Sequence, residues 1–251
     1  LHINFRMFAC LVAPCLLLAT AAPAIAQEKT GIKEGFVLKP GSARIAMLEP
    51  SVRVGEQSTG GMFEPNADWT DQAKENIEQQ LRASQANLGN EIVRLDIDTI
   101  PEGKELTRYH SLFGAVADSV IEYQFFKGNR LPSKKRSEAF EWSVGTDLRK
   151  IEALKGYDYI LLVRTKDAYG STGRKLLQAA GFLAAAFTGF GTVVSSGEHT
   201  GMAGLVDIET GDLVWLNADL AMGGDVRTAE GAEKRVGQLL EGFPGAPGAV
   251  Q

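Results

Sequence analysis

Tyr159-Ile160-Leu161-Leu162-Val163 is an unbroken apolar run that directly follows a short helix-forming stretch closed by Gly156. A strand without polar alternation is buried on both faces, so the chain needs a layer of helices on each side of a sheet. Helix, glycine and apolar strand in that order form the unit of an α/β fold. Arg44-Ile45-Ala46-Met47-Leu48, stopped by Pro50, reads as a second strand of the same kind.

The rest of the pattern fills in around these two strands. Trp69, Ala73, Ile77 and Leu81 recur every four residues and predict a helix, capped by Asn66 or Asp68 and ended by Gly89. The connection before it, Ser51 to Ala67, is rich in Gly, Ser and Glu and reads as a loop. Glu91 to Leu95 is a further strand. Leu106, Tyr109, Phe113, Val116 and Val120 place one apolar face on a helix from about Glu105 to Phe126. A short edge strand is expected near Trp142, and a short helix capped by Thr146 carries Leu148, Ile151 and Leu154. Gly201 to Asp207 and Asp212 to Leu220 flank Glu209-Thr210-Gly211, where Gly supplies the left-handed residue of a β-hairpin turn. A last helix starts at Thr228 and buries Ala232, Val236 and Leu239. The fold class is α/β (α+β): a mixed sheet of about five strands with a C-terminal antiparallel hairpin, flanked by helices.

Met7 to Ala22 is almost wholly apolar, follows Arg6, and leads to Ala24-Ile25-Ala26, the small-x-small form that signal peptidase cuts. Residues 1–26 are therefore read as a signal peptide, with the mature chain starting at Gln27 in the periplasm or outside the cell. Translation from Met7 instead of Leu1 would shorten that signal and remove Arg6. Val12-Ala13-Pro14 before Cys15 is a poor lipidation signal, which disfavours a lipid anchor. Cleavage removes Cys10 and Cys15, leaving about 225 residues with no thiol and no disulfide, so a packed core must stabilise the fold. Residues 27–43 form a leader, 44–243 one α/β domain, and 244–251 a disordered tail. A net charge of −5 gives no reason to expect nucleic acid as a partner. The Lys134-Lys135-Arg136 cluster reads as a solvated loop.

Leu176 to Val194 carries no charge over nineteen positions. Its length meets the threshold for a membrane span. A single crossing would nevertheless put the strand at Tyr157 and the hairpin at Gly201 in different compartments. The preferred reading is a helix buried against the sheet; the sharper one is an insertion that touches membrane or self-associates, with Gly181, Gly189 and Gly191 allowing close packing.

Catalytic constellations are sparse. In the mature chain His110 and His199 are the histidines, and both read as ordinary surface or edge residues; no metal or cofactor is expected. A nucleophile elbow of Gly-x-Ser-x-Gly form is missing. A pairing of Ser195 or Ser196 with His199 has only short spacing behind it. Gly170-Ser171-Thr172-Gly173-Arg174-Lys175 sits where a phosphate loop would, but Lys175 does not directly follow the glycine and Leu176 replaces the metal-binding hydroxyl, so it reads as a helix start. Glu64, Asp68 and Asp71 are acids before or at a helix start, where caps and dipole partners are common.

Arg44 to Leu48, Glu91-Ile92-Val93, Gly156-Tyr157-Asp158-Tyr159-Ile160-Leu161 and Leu205-Val206-Asp207-Ile208-Glu209-Thr210-Gly211-Asp212-Leu213-Val214-Trp215 resemble a group of bacterial envelope proteins. The group comprises curli-secretion channel subunits, outer-membrane activators of peptidoglycan synthases and the amino-terminal domain of the TolB translocation protein. The resemblance covers about half the chain and implies an α/β domain in the cell envelope, with outer-membrane association. It implies no site. The expected function is a non-enzymatic, exported protein that binds another envelope protein or itself, with Glu64, Asp68, Trp69, Arg174 and Phe187 as the candidate interaction surface and membrane contact through 176–194. The alternative is a periplasmic hydrolase with an atypical acid or serine site around Glu64, Asp68 or Ser171.

Overall fold

The strands of the computed structural model, which describes residues 28–126, 129, 139–189, 195 and 197–246, are β1 (Glu28–Ile32), β2 (Arg44–Leu48), β3 (Ser51–Gln57), β4 (Phe63–Pro65), β5 (Glu91–Leu95), β6 (Tyr159–Gly170), β7 (Gly197–Asp207) and β8 (Leu213–Asp219). The helices are α1 (Ala67–Ser84), α2 (Gly103–Val120), α3 (Thr172–Thr188) and α4 (Ala229–Leu239). They build an α/β fold on one mixed sheet in the order β1-β8-β7-β6-β2-β5, with β3 paired to β6 and β4 to β3. The signal segment, the Lys134-Lys135-Arg136 cluster, residues 190–194, Ser196 and residues 247–251 lie outside the described residues.

The sheet has eight strands where about five were expected. The additions come from stretches read as connections. The leader supplies β1, which runs antiparallel to β8 with Ile32 opposite Trp215. Ser51 to Ala67 supplies β3 and β4. β6 runs parallel to β2 over Tyr159–Leu161 and to β3 over Arg164–Gly170, so β2 and β3 are successive pieces on one flank of it. The break falls at Glu49-Pro50, where proline has no N–H to give the ladder.

Side chains alternate across β6 and feed two cores. Leu161 and Val163 face α1 and α4, packing with Ile45, Ile77, Leu81, Trp215, Val236 and Phe243. Ile160 and Leu162 face α2 with Leu48, Leu106, Phe113, Val120 and Val206. Asn66 caps α1 as expected, accepting from the Trp69 N–H at 3.0 Å. The helix expected to reach Phe126 is regular only to Val120 and finishes in a single π-turn, Ile121–Phe125. Thr146 to Leu154 forms tight 3₁₀ turns, and near Trp142 only Ser143 makes an isolated bridge, to Asp212. After α4, Pro244 and Gly245 are buried, and Ala246 packs on the α1/α4 core.

Candidate functional site

Two features on the β6–β7 arm of the sheet stand out. The chain leaves β6 at Gly170 and returns at Gly197, the register partner of Tyr169, so α3 springs from between two neighbouring strands. Its base is tied down. The Ser171 N–H donates to the Gln57 carbonyl at 3.0 Å, and the Ser171 hydroxyl caps the helix by accepting from the Arg174 N–H at 3.3 Å. Arg174 then donates through Nε to the Ser195 carbonyl at 2.5 Å and reaches the Ser58 carbonyl through Nη1 at 3.5 Å.

Beyond that base α3 buries nothing. Leu176 is 66% exposed, Leu183 60% and Phe187 86%, with Leu177 and Phe182 also exposed. The expectation of a helix packed on the sheet is therefore overturned. The physical reason is that both faces are already filled, by α1 and α4 on one side and by α2 with the 3₁₀ turns on the other, and neither core includes an α3 residue. Leu176, Ala180, Leu183 and Phe187 follow a four-three-four spacing and form one stripe, as along a helix–helix seam. A helix apolar on every side is ordinarily buried in something. Among the described residues no helix is long and apolar enough to cross a membrane.

The second feature lies on the α1/α4 face of the same arm. Asp167 and Arg235 are wholly buried, and the guanidinium grips the carboxylate with two bonds of 2.7 and 2.8 Å. Arg235 also donates to the Gly223 and Gly224 carbonyls, and the Thr165 hydroxyl donates to Asp167 at 2.9 Å. His199, opposite Asp167 in the ladder, shares Nδ1 with its Oδ1 at 2.8 Å. Burial works to raise the Asp167 pKa, but the bonds from His199 and Arg235 prevail and hold it below the usual carboxylate range. Donation from Nδ1 leaves Nε2 of a neutral ring as an acceptor. His199 opens on a cleft of about 550 Å³ that also holds Gln57, Ser195 and Met222. The buried Gln57 Oε1 has no hydrogen-bond partner.

An aromatic stack adjoins this pair. Arg227 lies 3.8 Å from the centre of the Tyr169 ring and 4.5 Å from that of Trp69, and it binds Asp225 through Nε and Nη2 at 2.9 and 2.7 Å. The Tyr169 hydroxyl donates to the same carboxylate at 2.8 Å. The Arg227 bonds drive the Asp225 pKa far down, while burial and Asp225 push the Tyr169 hydroxyl well above its ordinary value. Tyr169 also meets the His199 ring, 4.8 Å between centres. Stack and dyad are one continuous assembly.

The residues singled out in the sequence are not gathered in one place. Trp69 enters the Arg227 stack, Arg174 staples the base of α3, and Phe187 projects near its far end. Glu64 and Asp68 are exposed, whereas Asp71 lines a separate cleft with Lys74 and His110. Ser171 serves as the cap of α3. Among the described residues no three His, Cys, Asp or Glu side chains converge as a metal site. His199, read as an ordinary histidine, is the one with a buried carboxylate behind it.

His110 is half-buried on α2, with Nε2 donating to the Val163 carbonyl at 3.0 Å. Burial lowers its pKa. The unfolded chain therefore takes up this proton first, and stability should fall as pH drops below about 6.5. In His110→Gln, which keeps a donor without titrating, the decline in melting temperature between pH 7 and pH 5.5 should be shallower. An identical decline would assign it to other groups.

No family model matches the chain, and no curated protein matches it. Two solved structures similar to it are both dodecamers from Paraburkholderia phytofirmans: PelC, at 12% identity over 86% of this chain and 96% of that one with a TM-score of 0.33, and a PelC variant, at 12% over 88% and 97% with a TM-score of 0.35. At these scores the likeness carries no statement about what the present chain does.

Proposed function

We propose that this chain is an exported, non-enzymatic protein of the cell envelope that associates through α3, with copies of itself or with another envelope protein. The observation behind it is that α3 buries no residue while exposing five large apolar side chains, with no charge beyond Lys175. Contiguous apolar surface of this kind marks interaction sites. The four-three-four stripe favours another helix as the partner surface, which a second copy supplies. The amino-terminal signal and the resemblance to envelope proteins support export to the periplasm or beyond, with the outer membrane as a place of association.

The combined variant Leu183→Glu/Phe187→Glu tests this reading. Both side chains are exposed, so the melting temperature should stay close to that of the parent. Light scattering on the mature chain should show an oligomer for the wild type and a monomer for the variant, or loss of a co-purifying envelope protein. A wild-type chain that is monomeric and retains no partner, or a variant of unchanged size and partners, would sink the proposal.

A second reading, hydrolysis, is favoured by His199, which has Asp167 hydrogen-bonded behind it and opens on the cleft that also holds Ser195. Here the Ser195 hydroxyl donates to the Gly197 carbonyl at 2.6 Å and not to His199. Covalent labelling of Ser195 by a fluorophosphonate would favour that reading over assembly.

A further inference from the structure

The face of the β3–β6–β7 arm opposite His199 gathers positive charge. Arg53 on β3 and Lys166 on β6 are direct register partners, and Arg164, two residues earlier on β6, shares their face. Like charges directly opposite on neighbouring strands are destabilising. Arg53 and Lys166 each lie 5.4 Å from the centre of the Phe63 ring on β4, so one aromatic face is shared by two cations. With Arg164 they line an open cleft of about 420 Å³ beside the end of α2.

The neutralising partners are weak. Lys166 meets Glu198 at 3.3 Å and Arg164 meets Asp118 at 3.4 Å, each a partly exposed cation with a more exposed carboxylate. Exposed pairs of this kind contribute about 0–1 kcal/mol. Among the described residues Arg53 has no carboxylate partner. Arg164 passes close to α2. Gly114 lies inside α2, where glycine costs roughly 1 kcal/mol relative to alanine. A Cβ there would stand 2.2 Å from Arg164 Nη1, so the guanidinium runs directly over the helix at this position.

We propose that this cleft binds an oxyanion, a phosphate- or sulfate-type group, which inserts between Arg53, Lys166 and Arg164 and relieves their mutual repulsion. Arginine provides paired donors for such oxygens, and Lys166 adds a point charge. The group can be free or carried on a lipid headgroup. Arg53, Lys166 and Arg164 stand on the face of the sheet opposite the dyad, and no α3 residue lines the cleft.

Melting curves of the mature protein in inorganic phosphate and in sodium chloride of equal ionic strength test it. The wild type should gain roughly 5 °C more in phosphate than in chloride at about a hundredfold excess over Kd. Arg53→Ala should melt no lower than the wild type in chloride, because a repulsion is removed, and should lose most of the phosphate increment. Lys166→Ala should behave likewise. Co-sedimentation with phosphatidylglycerol vesicles that is lost in Arg53→Ala identifies the headgroup as the source; phosphate stabilisation without co-sedimentation identifies a free anion. Equal gains in the two salts, or an undiminished phosphate increment in both variants, would overturn the assignment.

Discussion

Arg235→Met should destabilise the protein by about 3–5 kcal/mol at neutral pH, the usual cost of removing one partner from a buried ion pair. Asp167 would remain wholly buried, with only His199 and Thr165 to satisfy it. The dependence on pH should also change. In the wild type the depressed Asp167 pKa means that its contribution is complete above the unfolded value, about 3.9, and is lost as pH falls through the folded one. In the variant His199 is left to oppose burial without the guanidinium, so the folded Asp167 takes up its proton at a higher pH than in the wild type. The deficit relative to wild type should therefore shrink on acidification. Urea melts at pH 7 and pH 4.5 measure both quantities, and a deficit that grows at the lower pH would contradict the account. Replacing the partners together, Asp167→Leu with Arg235→Met, should recover much of the loss, since no orphan charge remains.

The second large effect is expected at the β7–β8 turn. Gly211 has φ of +71°, its N–H donates to the Asp207 carbonyl at 2.8 Å, and its carbonyl receives the Val144 N–H at 2.9 Å. A Cβ at this position would fall 2.0 Å from the Gly145 carbonyl oxygen, a backbone atom unable to rotate away. Gly211→Val thus combines left-handed strain of about 1–3 kcal/mol with a steric displacement of similar size. It should also detach the Ser143–Val144 segment that lies against the turn. Chemical denaturation should show a loss of at least about 2 kcal/mol, and amide exchange at Val144 should accelerate. An unchanged midpoint would mean that the turn adopts another conformation.

How far the sequence discloses this molecule depends on the element. Wholly buried strands and amphipathic helices are legible: β2, the first half of β6, α1 and α4 lie where their apolar residues indicate. The second half of β6 is not, because Arg164, Thr165, Lys166 and Asp167 carry no apolar alternation. The parity of Leu161 and Val163 nevertheless puts Thr165 and Asp167 on the α1/α4 face, and that was the available clue to a buried carboxylate. Its guanidinium partner lies 68 residues away on α4, beyond any local pattern. β3 mixes Val52 and Val54 with polar neighbours, so it resembles a loop until β6 is present to pair with it. For α3, composition fixes an apolar helix but not its surroundings. Burial in this fold and exposure awaiting a partner require the same residues.

The pairing of β1 with β8 has a consequence for the order of events in folding. Thr30 and Asn217, joined through their side chains at 3.2 Å, are 187 residues apart. A sheet closed by so distant a contact folds slowly, since a long stretch of chain loses its freedom before the contact rewards it. In a chain that emerges amino-terminus first, the segment destined to be β1 waits, unpaired, until nearly all of the domain has appeared. Throughout that interval both edges of the β1 segment are open to strands of other chains, so a factor that covers it would limit mispairing.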